Sequence, residues 1–168
     1  KIVSGKTDKC RKLTKNFYQK ICSKVVESSS LETAEMTKLY ENIFRAVNIS
    51  LSNETKEICK KINIDFNEVI SLASTKPFGF MPFYPGPGVG GHCIPVDPFY
   101  LNWYLKKKKT KSKFIELAGK INLNTPIKVF QQIKKFLRSK KFTKKNKILV
   151  LGLTYKKNIN DLRNSPAL

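Results

Sequence analysis

The sequence predicts a mainly helical chain, in which a central helical domain built on one long helix is flanked by parts of two doubly wound α/β domains. Residues 31–61 contain neither glycine nor proline, so an uninterrupted helix is possible there. Residues 1–28 read as strand, helix and strand, which is the order of an α/β unit. The apolar run KILVLGL at residues 147–153 is typical of a buried parallel strand and indicates the start of another such domain.

The N-terminal part is the end of an α/β unit. KIVSG at residues 1–5 reads as the end of a strand, and KVVES at residues 24–28 as a second, β-branched strand. Between them, apolar side chains recur every four residues from about residue 8 to residue 22, which predicts an amphipathic helix. Because the chain starts inside such a unit and stops at SPAL, where a helix would open, we expect it to be a fragment.

The long helix is predicted to begin at SSLE, residues 29–32, which fits a capping box of serine hydroxyl and glutamate carboxylate. About thirty residues give a helix of roughly 45 Å. Its apolar stripe consists of Met36, Leu39, Ile43, Val47 and Leu51. A helix of this length suggests a spine that joins domains or packs against a second subunit.

A long irregular segment follows a predicted helix at residues 66–74. TKPFGFMPFYPGPGVGGHCIPVDP breaks all periodicity over two dozen residues, and loops of that length are usually functional or disordered. The aromatic content argues for an ordered, packed loop, since disordered segments contain few such residues. The aromatic residues are Phe78, Phe80, Phe83 and Tyr84.

The C-terminal part is predicted to start with a new helix. FYLNWYLKKKK and FIELAGKIN both look helical, and Thr125-Pro126 would supply the N-cap and first-turn proline of a further helix that ends near Arg138. The predicted domains are therefore 1–28, 29–125 and 126–168.

The net charge of the chain is compatible with a second class of function. The net charge is +21, from 33 Lys and Arg against 12 Asp and Glu, with lysine clusters at residues 106–113 and 134–147. Such a field attracts polyanions, so a basic nucleic-acid-binding module is the alternative function. Only four of these residues are arginine and neither cluster interleaves aromatic side chains, so we expect no nucleic-acid partner.

The cysteines and apolar runs indicate a cytoplasmic protein. No CxxC pair and no second histidine complete a zinc set, so no metal is expected. Cys10, Cys22 and Cys59 fall in helical patterns and are predicted to be small buried side chains with reduced thiols. No apolar run approaches the length that spans a membrane.

The glycines of the loop match a dinucleotide fingerprint only formally. Gly86, Gly88 and Gly91 satisfy GxGxxG, but no strand precedes them and no helix opens directly after them. We expect these glycines instead to let backbone amides approach an anionic or polar ligand.

Cys93 is the candidate nucleophile. If Pro95 starts a helix, the thiol lies at the positive end of the helix dipole, which favours the thiolate. His92 is a poor partner because adjacent side chains point apart in extended backbone. Asp97, four residues on, shares a face with Cys93 in that helix and either positions a water or only closes a turn before Pro98.

Lys38 and Asn42 form a candidate pair for stabilising an oxyanion. They lie four residues apart on the long helix, on a polar stripe that Glu35 and Arg45 extend. Such a stripe is either a solvated face or, if it faces the glycine loop, a place where an ammonium and an amide converge on one oxygen.

Three segments in order resemble the UDP-glucose/GDP-mannose dehydrogenase family: ETAEMTKLYENIFRAVNISLSNE, TKPFGFMPFYPGPGVGGHCIPVDPFYL and KILVLGLTYKKNINDLRNSPAL. The GGxCxPxD block together with the AEMTK helix is specific to that family. KPFGFMPFYPGPG looks most like the UDP-N-acetylglucosamine 6-dehydrogenase branch. Val96 departs from some members, which have lysine there.

The resemblance implies a four-electron oxidation of the C6 alcohol of a UDP-sugar to a carboxylate with two NAD. Cys93 matches the nucleophile that forms a thiohemiacetal and then a thioester. Lys38 and Asn42 match the pair that stabilises the oxyanion, and Asp97 matches the carboxylate that handles the proton or water.

The resemblance also implies binding residues and partners. Arg163 and Gly91 would contact NAD, and the long helix would form a homodimer. Residues 1–28 would end the NAD-binding Rossmann domain and residues 126–168 would open the UDP-binding domain, so the fragment alone is expected to be inactive. The residues expected to bind the UDP-sugar are Phe83, Tyr84, Gly86, Gly88, Gly90, Gly91 and Lys156.

Overall fold

The computed structural model describes residues 1–140, 142 and 147–168, which divide into two compact units, Lys1–Asn42 and Ile43–Leu168. The described residues are mainly helical, as the sequence predicted. The long helix, α2, begins in the first unit and ends in the second.

The first unit opens with a strand–helix–strand motif, which confirms the prediction for the N-terminus. Strand β1 (Ile2–Val3) and strand β2 (Val26–Glu27) pair in parallel, with Ile2 opposite Val26. Helix α1 (Asp8–Gln19) lies between them in sequence and contacts both strands. The side chain of Thr7 caps α1 by accepting a hydrogen bond from the amide of Cys10 at 3.2 Å.

Helix α2 (Leu31–Lys61) forms over the range that the absence of glycine and proline predicted. Its cap differs from the predicted capping box. The Ser30 hydroxyl accepts from the Thr33 amide at 3.0 Å, so the third helical residue is a threonine and Glu32 lies one position too early to complete the box. Glu32 in the first turn and Lys60 and Lys61 in the last still complement the helix dipole.

Helix α3 (Phe66–Ala73) packs back onto the end of α2. The Asp65 carboxylate caps it by accepting from the Asn67 amide at 2.9 Å. Phe66 and Ile70 form a buried apolar cluster with Cys59 of α2. The predicted helix at residues 66–74 is therefore confirmed. The irregular loop runs on from there to the start of the next helix.

Helices α4 (Asp97–Lys107) and α5 (Lys113–Ser139) pack against each other. Glycine at residue 119 lets the Phe99 ring lie close to α5, since a Cβ atom there would be 2.8 Å from Cζ of Phe99.

The prediction that a new helix begins at Thr125-Pro126 is wrong, because α5 continues through Pro126. The Thr125 hydroxyl donates to the carbonyl of Ile121 at 2.8 Å, one turn back, instead of capping a new helix. Pro126 lacks an N–H, so the helix gives up one hydrogen bond there. The proline ring instead lies against the buried Gly88 of the loop.

The predicted strand at residues 147–153 and the predicted helix at SPAL are also wrong. Residues 147–153 are mostly exposed and no described strand lies beside them, and a strand forms only with a hydrogen-bonded partner. SPAL is a turn, in which the Leu168 amide donates to the carbonyl of Ser165. Part of the second lysine cluster, at residue 141 and residues 143–146, lies outside the described residues.

The predicted burial of three cysteines holds for one of them. Cys59 is buried, whereas Cys10 is exposed on α1 and Cys22 is half-buried just beyond that helix. All four thiols are free. Within the described residues, no helix is both long and apolar enough to cross a membrane.

Candidate active site around Cys93

Cys93 lies in the turn that leads into α4. Its carbonyl accepts from the amides of Val96 at 3.1 Å and Asp97 at 2.8 Å, so the chain is already helical in geometry one turn before α4 begins. The helix itself begins at Asp97 with Pro98 in its first turn, and not at Pro95 as predicted. The Cys93 thiol is free and half-buried.

The first half of the glycine–proline loop is attached to α2. The Ser52 hydroxyl donates to the carbonyl of Phe83 at 2.5 Å, and the Gly86 amide donates to the Asn53 side chain at 3.0 Å. The ring of Phe83 packs edge-on against Phe44, with 5.6 Å between centroids. These contacts confirm an ordered loop.

Most of the aromatic side chains in this ordered loop are exposed. Phe78 and Tyr84 are 72% and 64% exposed, and Phe80 is also exposed. Only Phe83 of the four is held by a ring contact with α2. The aromatic content therefore indicated order without indicating which rings are buried.

Two of the loop glycines are required by contacts within the protein. A Cβ atom on Gly88 would lie 2.9 Å from the Pro126 ring, and one on Gly90 would lie 2.9 Å from the Asn164 carbonyl oxygen. At these two positions other parts of the chain exclude a side chain, and the approach of a ligand to the loop backbone stays a prediction. Gly86 differs, because a Cβ atom placed on it would lie 3.9 Å from its nearest neighbour, the Gly88 carbonyl oxygen.

The second half of the loop is attached to the turn at residues 161–164. The Gly91 amide donates to the carbonyl of Arg163 at 3.2 Å, and the Asn164 side-chain amide donates back to the carbonyl of Gly91 at 3.3 Å. His92, the residue before Cys93, has a charged neighbour on this turn. Its Nδ1 lies 3.9 Å from the Asp161 carboxylate.

Asp161 and Arg163 form a bidentate ion pair. The Arg163 Nε and terminal nitrogen donate to the two carboxylate oxygens at 2.9 and 2.8 Å. These hydrogen bonds hold the pKa of Asp161 well below its usual range. The same bonds raise the pKa of Arg163, and the charge of an ionised Cys93 adds a smaller contribution in the same direction.

Lys38 and Asn42 contact each other in the first unit. The Lys38 ammonium lies 3.5 Å from Oδ1 of Asn42, a long hydrogen bond, and 3.8 Å from the Glu41 carboxylate. Asn42 is only 1% exposed, so this end of the polar stripe is not a solvated face, whereas the Lys38 side chain is mostly exposed. Their convergence on the Cys93 loop stays a prediction.

Lys156 and its neighbour Tyr155, in the C-terminal segment, differ in their exposure to solvent. Lys156 is exposed, and its carbonyl accepts from the Thr154 hydroxyl at 3.0 Å. Tyr155 is half-buried against the loop. Burial raises the pKa of Tyr155, and the nearby Arg45 of α2 opposes that effect.

Three of the predicted substrate-binding residues line one cavity of about 410 Å³. Tyr84, Gly86 and Gly88 form its loop side, and residues 151, 152, 154, 155 and 165–167 contribute to the other side. Pockets for small ligands commonly have this size. A second cavity, of about 430 Å³, is mainly apolar and is lined by Ile94, Pro95 and Val96 directly after Cys93.

NAD is the cofactor that the resemblance implies. The two candidate contacts are already engaged within the chain: the Arg163 guanidinium is paired with Asp161, and both backbone polar groups of Gly91 are hydrogen-bonded. The Gly86–Gly91 pattern lies in a loop, as its context predicted. The binding of NAD by Arg163 and Gly91 stays a prediction.

Sequence reasoning missed the residues that hold the loop. Ser52 and Asn53 on α2, and Asp161 and Asn164 near the C-terminus, carry no periodic or motif signal that would connect them to Cys93. The only local indication is the Asp-x-Arg spacing, in which the Asp161 carboxylate also accepts the Arg163 amide at 3.1 Å, the geometry of an Asx-turn.

Comparison with known proteins identifies a family that has this fold and the loop with Cys93. Residues 32–124 match the sequence model described as "UDP-glucose/GDP-mannose dehydrogenase family, central domain". The chain therefore belongs to this family, and the matched range contains α2 from its second residue onward, α3, the loop with Cys93 and α4.

Individual relatives are similar over the whole chain. The UDP-N-acetyl-D-mannosamine dehydrogenase of Campylobacter jejuni is 39% identical over 168 residues, which are 100% of this chain and 40% of that protein. The NDP-N-acetyl-D-galactosaminuronic acid dehydrogenase of Ralstonia nicotianae is 38% identical over 100% of this chain and 38% of its own length. The chain thus spans about two fifths of these relatives.

Solved structures show the same similarity in three dimensions. A UDP-D-ManNAc dehydrogenase from Pyrococcus horikoshii superposes with a TM-score of 0.85 and 36% identity, covering 99% of this chain and 39% of that one. The UDP-N-acetyl-mannosamine dehydrogenase Cap5O from S. aureus gives a TM-score of 0.81 and 37% identity, covering 99% and 38%. The fold of the chain is therefore a part of the dehydrogenase fold.

Proposed function

We propose that this chain contributes the nucleophile of a UDP-sugar 6-dehydrogenase, which oxidises the C6 alcohol of its substrate to a carboxylate. The observation that carries the proposal is the position of Cys93. It is a free, half-buried thiol in the turn before α4, within the range that matches the family's central domain. For the hydride acceptor we propose NAD, the dinucleotide that the family resemblance implies.

Cys93 acts on the aldehyde that the first oxidation leaves at C6. Its thiolate adds to the carbonyl carbon, and the carbonyl oxygen takes a proton to give a thiohemiacetal. Loss of a hydride from that carbon and of the hydroxyl proton gives a thioester on Cys93. Water then attacks the thioester, the C–S bond breaks, and the acid and the free thiol are released.

Asp97, Lys38 and Asn42 assist these steps in the proposed mechanism. Asp97 follows Cys93 by one helical turn, and its carboxylate takes a proton from the attacking water. The Lys38 ammonium and the Asn42 amide, which contact each other on α2, stabilise the negative charge that develops on the C6 oxygen. The burial of Asn42 supports this role because a buried amide is held in a fixed orientation.

The substrate we propose is a UDP-N-acetylhexosamine. The relatives reported above are named for N-acetylmannosamine and N-acetylgalactosaminuronic acid, so an N-acetylated sugar is common to them. Among such sugars, the loop sequence favours UDP-N-acetylglucosamine. We propose that the cavity lined by Tyr84 and Tyr155 receives part of this substrate, and that exposed Lys156, which follows Tyr155 in the sequence, pairs with a phosphate.

The proposal is tested by following NADH formation in the complete encoded protein with three substrates: UDP-N-acetylglucosamine, UDP-N-acetylmannosamine and UDP-glucose. We expect two NADH per sugar, a preference for an N-acetylated substrate, and a loss of at least about 1,000-fold in acid formation for Cys93→Ala. Cys22→Ala, a change of the same kind at another half-buried thiol, is expected to be silent.

Two results would reject the proposal. One is acid formation by Cys93→Ala at the rate of the unchanged protein. The other is the absence of NADH with every nucleotide sugar although the protein is folded and binds NAD.

A further inference from the structure

Helix α4 has a packed side and an outer side. Residues that recur at intervals of three and four lie on the same side of a helix. On α4 one such series is buried or half-buried, and α5 is the helix that packs against α4. This series consists of Pro98, Leu101, Asn102 and Leu105. The residues between them therefore lie on the outer side.

The outer side of α4 is aromatic. Tyr100, Trp103 and Tyr104 follow the same spacing and are 65%, 58% and 51% exposed. Tyr100 and Trp103 also line an apolar hollow of about 400 Å³ that extends to Val96. Scattered exposed apolar side chains are ordinary, whereas a contiguous group of them marks a surface that binds a protein or a membrane.

Six lysines follow this aromatic row directly. Residues 106–109 are all lysine, and Lys111 and Lys113 come next. All six are exposed, and no acidic residue occurs from residue 98 to residue 115. In the part of the chain that the structure describes, none of the six is paired with a carboxylate. The positive charge at this end of α4 is therefore not compensated locally.

The turn that carries these lysines is attached to α4. The Thr110 amide donates to the carbonyl of Leu105 at 3.0 Å. The Ser112 hydroxyl donates to Oδ1 of Asn102, on the packed side of the helix. The lysines after the end of α4 are thus held next to the helix by an ordered backbone.

Two of the lysines lie over rings of the aromatic row. The ammonium of Lys107 is 3.9 Å from the centroid of the Trp103 ring, and that of Lys108 is 5.8 Å from the centroid of the Tyr104 ring. The rings and the charges therefore form one continuous surface, which we call the α4 surface and define as the exposed side chains of residues 100–113.

We propose that the α4 surface binds anionic lipid headgroups at the face of a bilayer. Trp and Tyr are enriched where membrane meets water, because each has an apolar ring and one hydrogen-bonding group. A cluster of about four to eight lysines is attracted by the negative potential of a leaflet that contains anionic lipids. Such a surface lies on the bilayer without crossing it, and no described helix could cross one.

Three other occupants fit these observations less well. A second copy seated face to face would bring two clusters of six lysines together, and like charges across an interface repel. A single-stranded nucleic acid stacks its bases on free ring faces, whereas Lys107 already covers a face of Trp103. Another part of the complete protein would have to bury unpaired lysines, which are almost never found fully buried.

The first test measures co-sedimentation of the complete encoded protein with vesicles of phosphatidylglycerol and phosphatidylcholine, with pure phosphatidylcholine vesicles as the reference. We expect binding to the anionic vesicles only. The double variant Lys109→Gln, Lys111→Gln is expected to bind them at least about tenfold more weakly, because each lysine near an anionic surface strengthens binding about fivefold. Both positions are exposed and lie outside the helix, so the fold is expected to be unchanged.

The double variant Lys60→Gln, Lys61→Gln is the matched control. It removes the same charge from two exposed positions at the end of α2. Only lysines close to the headgroups contribute, since salt screens charges beyond about 8 Å, so we expect a loss of less than about twofold. Equal losses in the two double variants would show attraction by the net charge alone and would overturn the proposal.

The second test asks whether the aromatic row enters the interface. The fluorescence of Trp103 is obtained as the difference between the unchanged protein and Trp103→Phe, so that tryptophans elsewhere in the complete protein cancel. On vesicles of brominated phosphatidylglycerol we expect this difference to fall at least about twofold, because bromine quenches an indole that reaches the acyl boundary. Bound protein with unquenched Trp103 would overturn the proposal.

The remaining outcomes also decide the matter. Absence of binding to anionic vesicles at about 50 mM salt, where electrostatic attraction is strong, overturns the proposal. So does binding of a single-stranded oligonucleotide in place of vesicles, or weaker self-association in Trp103→Gln without any vesicle binding. None of these measurements needs turnover. An enzyme that is active but binds no vesicles rejects only this proposal, and a protein that binds vesicles but forms no NADH rejects only the proposed function.

Discussion

At the scale of single residues, Asp161 is the group with the most consequential environment. Its carboxylate accepts three hydrogen bonds from Arg163 and lies near His92. These contacts favour the ionised form, which is why the pKa of Asp161 is lowered. A group with a lowered folded-state pKa stabilises the folded protein above its unfolded pKa, and this stabilisation is lost as the pH falls through the folded pKa.

We therefore expect Asp161→Asn to lower the melting temperature at pH 7, with a deficit that shrinks as the pH falls below about 4, the usual pKa of an aspartate in an unfolded chain. Differential scanning calorimetry at a series of pH values measures this deficit in melting temperature. Asp8→Asn is the control, because Asp8 is 80% exposed and makes one surface ion pair with Arg11. A deficit that is constant at all pH values would contradict the assignment.

At the scale of elements, the contact between the loop and α5 explains why a proline is tolerated inside a helix. Pro126 costs α5 one hydrogen bond, yet its ring closes against buried Gly88 of the loop. The loop and the helix are thus fitted to each other at this point. A proline inside a helix is unfavourable by itself, whereas the φ of +137° at residue 88 is one that glycine adopts readily.

Gly88→Ala is expected to lower the free energy of unfolding by about 1–3 kcal/mol, because the added methyl would lie 2.9 Å from the Pro126 ring. Pro126→Ala removes part of that clash. The double variant should therefore be at least about 0.5 kcal/mol more stable than the sum of the two single changes predicts. Urea denaturation measures the free energy of unfolding of the two single variants and the double variant. Strict additivity would show that the two residues do not interact.

Sequence reasoning succeeded where local signals decide the element. α2 and α3 have interiors free of glycine and proline and begin after capping side chains, so their bounds could be read to within one residue. It failed where tertiary contacts decide. Pro126 looked like a helix start because its contact with Gly88, 38 residues earlier, has no local trace. KILVLGL looked like a strand because pairing cannot be read from one segment.

The loop that carries the candidate site could be predicted from the sequence, whereas the residues that hold this loop in place could not. The glycine–proline pattern around Cys93 indicated an ordered loop, and the structure has one. The resemblance to a family supplied the roles of Lys38, Asn42 and Asp97, which spacing alone left open. Asp161 and Asn164 could not be predicted, since their contacts with the loop join residues about 70 positions apart.

At the scale of the whole molecule, α2 presents an exposed apolar face. Leu51 and Ile58 are 56% and 52% exposed and lie seven residues apart, which places them on the same side of the helix. Exposed apolar side chains in such a row are typical of an interface between subunits. We propose that this face forms the homodimer expected from the length of the helix.

The double variant Leu51→Gln, Ile58→Gln is therefore expected to weaken self-association at least tenfold, because both changes place an amide in an apolar contact. Sedimentation velocity over a range of protein concentrations measures this. Lys56→Gln, an exposed position on the other side of α2, is the matched control and should not change the dissociation constant. A monomeric unchanged protein at all concentrations would reject the dimer.

The most direct test of the account is to look for the acyl group on Cys93. The complete encoded protein carrying Asp97→Asn is mixed with NAD and UDP-N-acetylglucosamine or UDP-N-acetylmannosamine, quenched in acid, and mapped by mass spectrometry. Because Asp97 is proposed to activate the water, its loss should slow hydrolysis and leave the sugar nucleotide bound as a thioester to Cys93 and to no other thiol. An unmodified Cys93 while acid is still being formed would contradict the account.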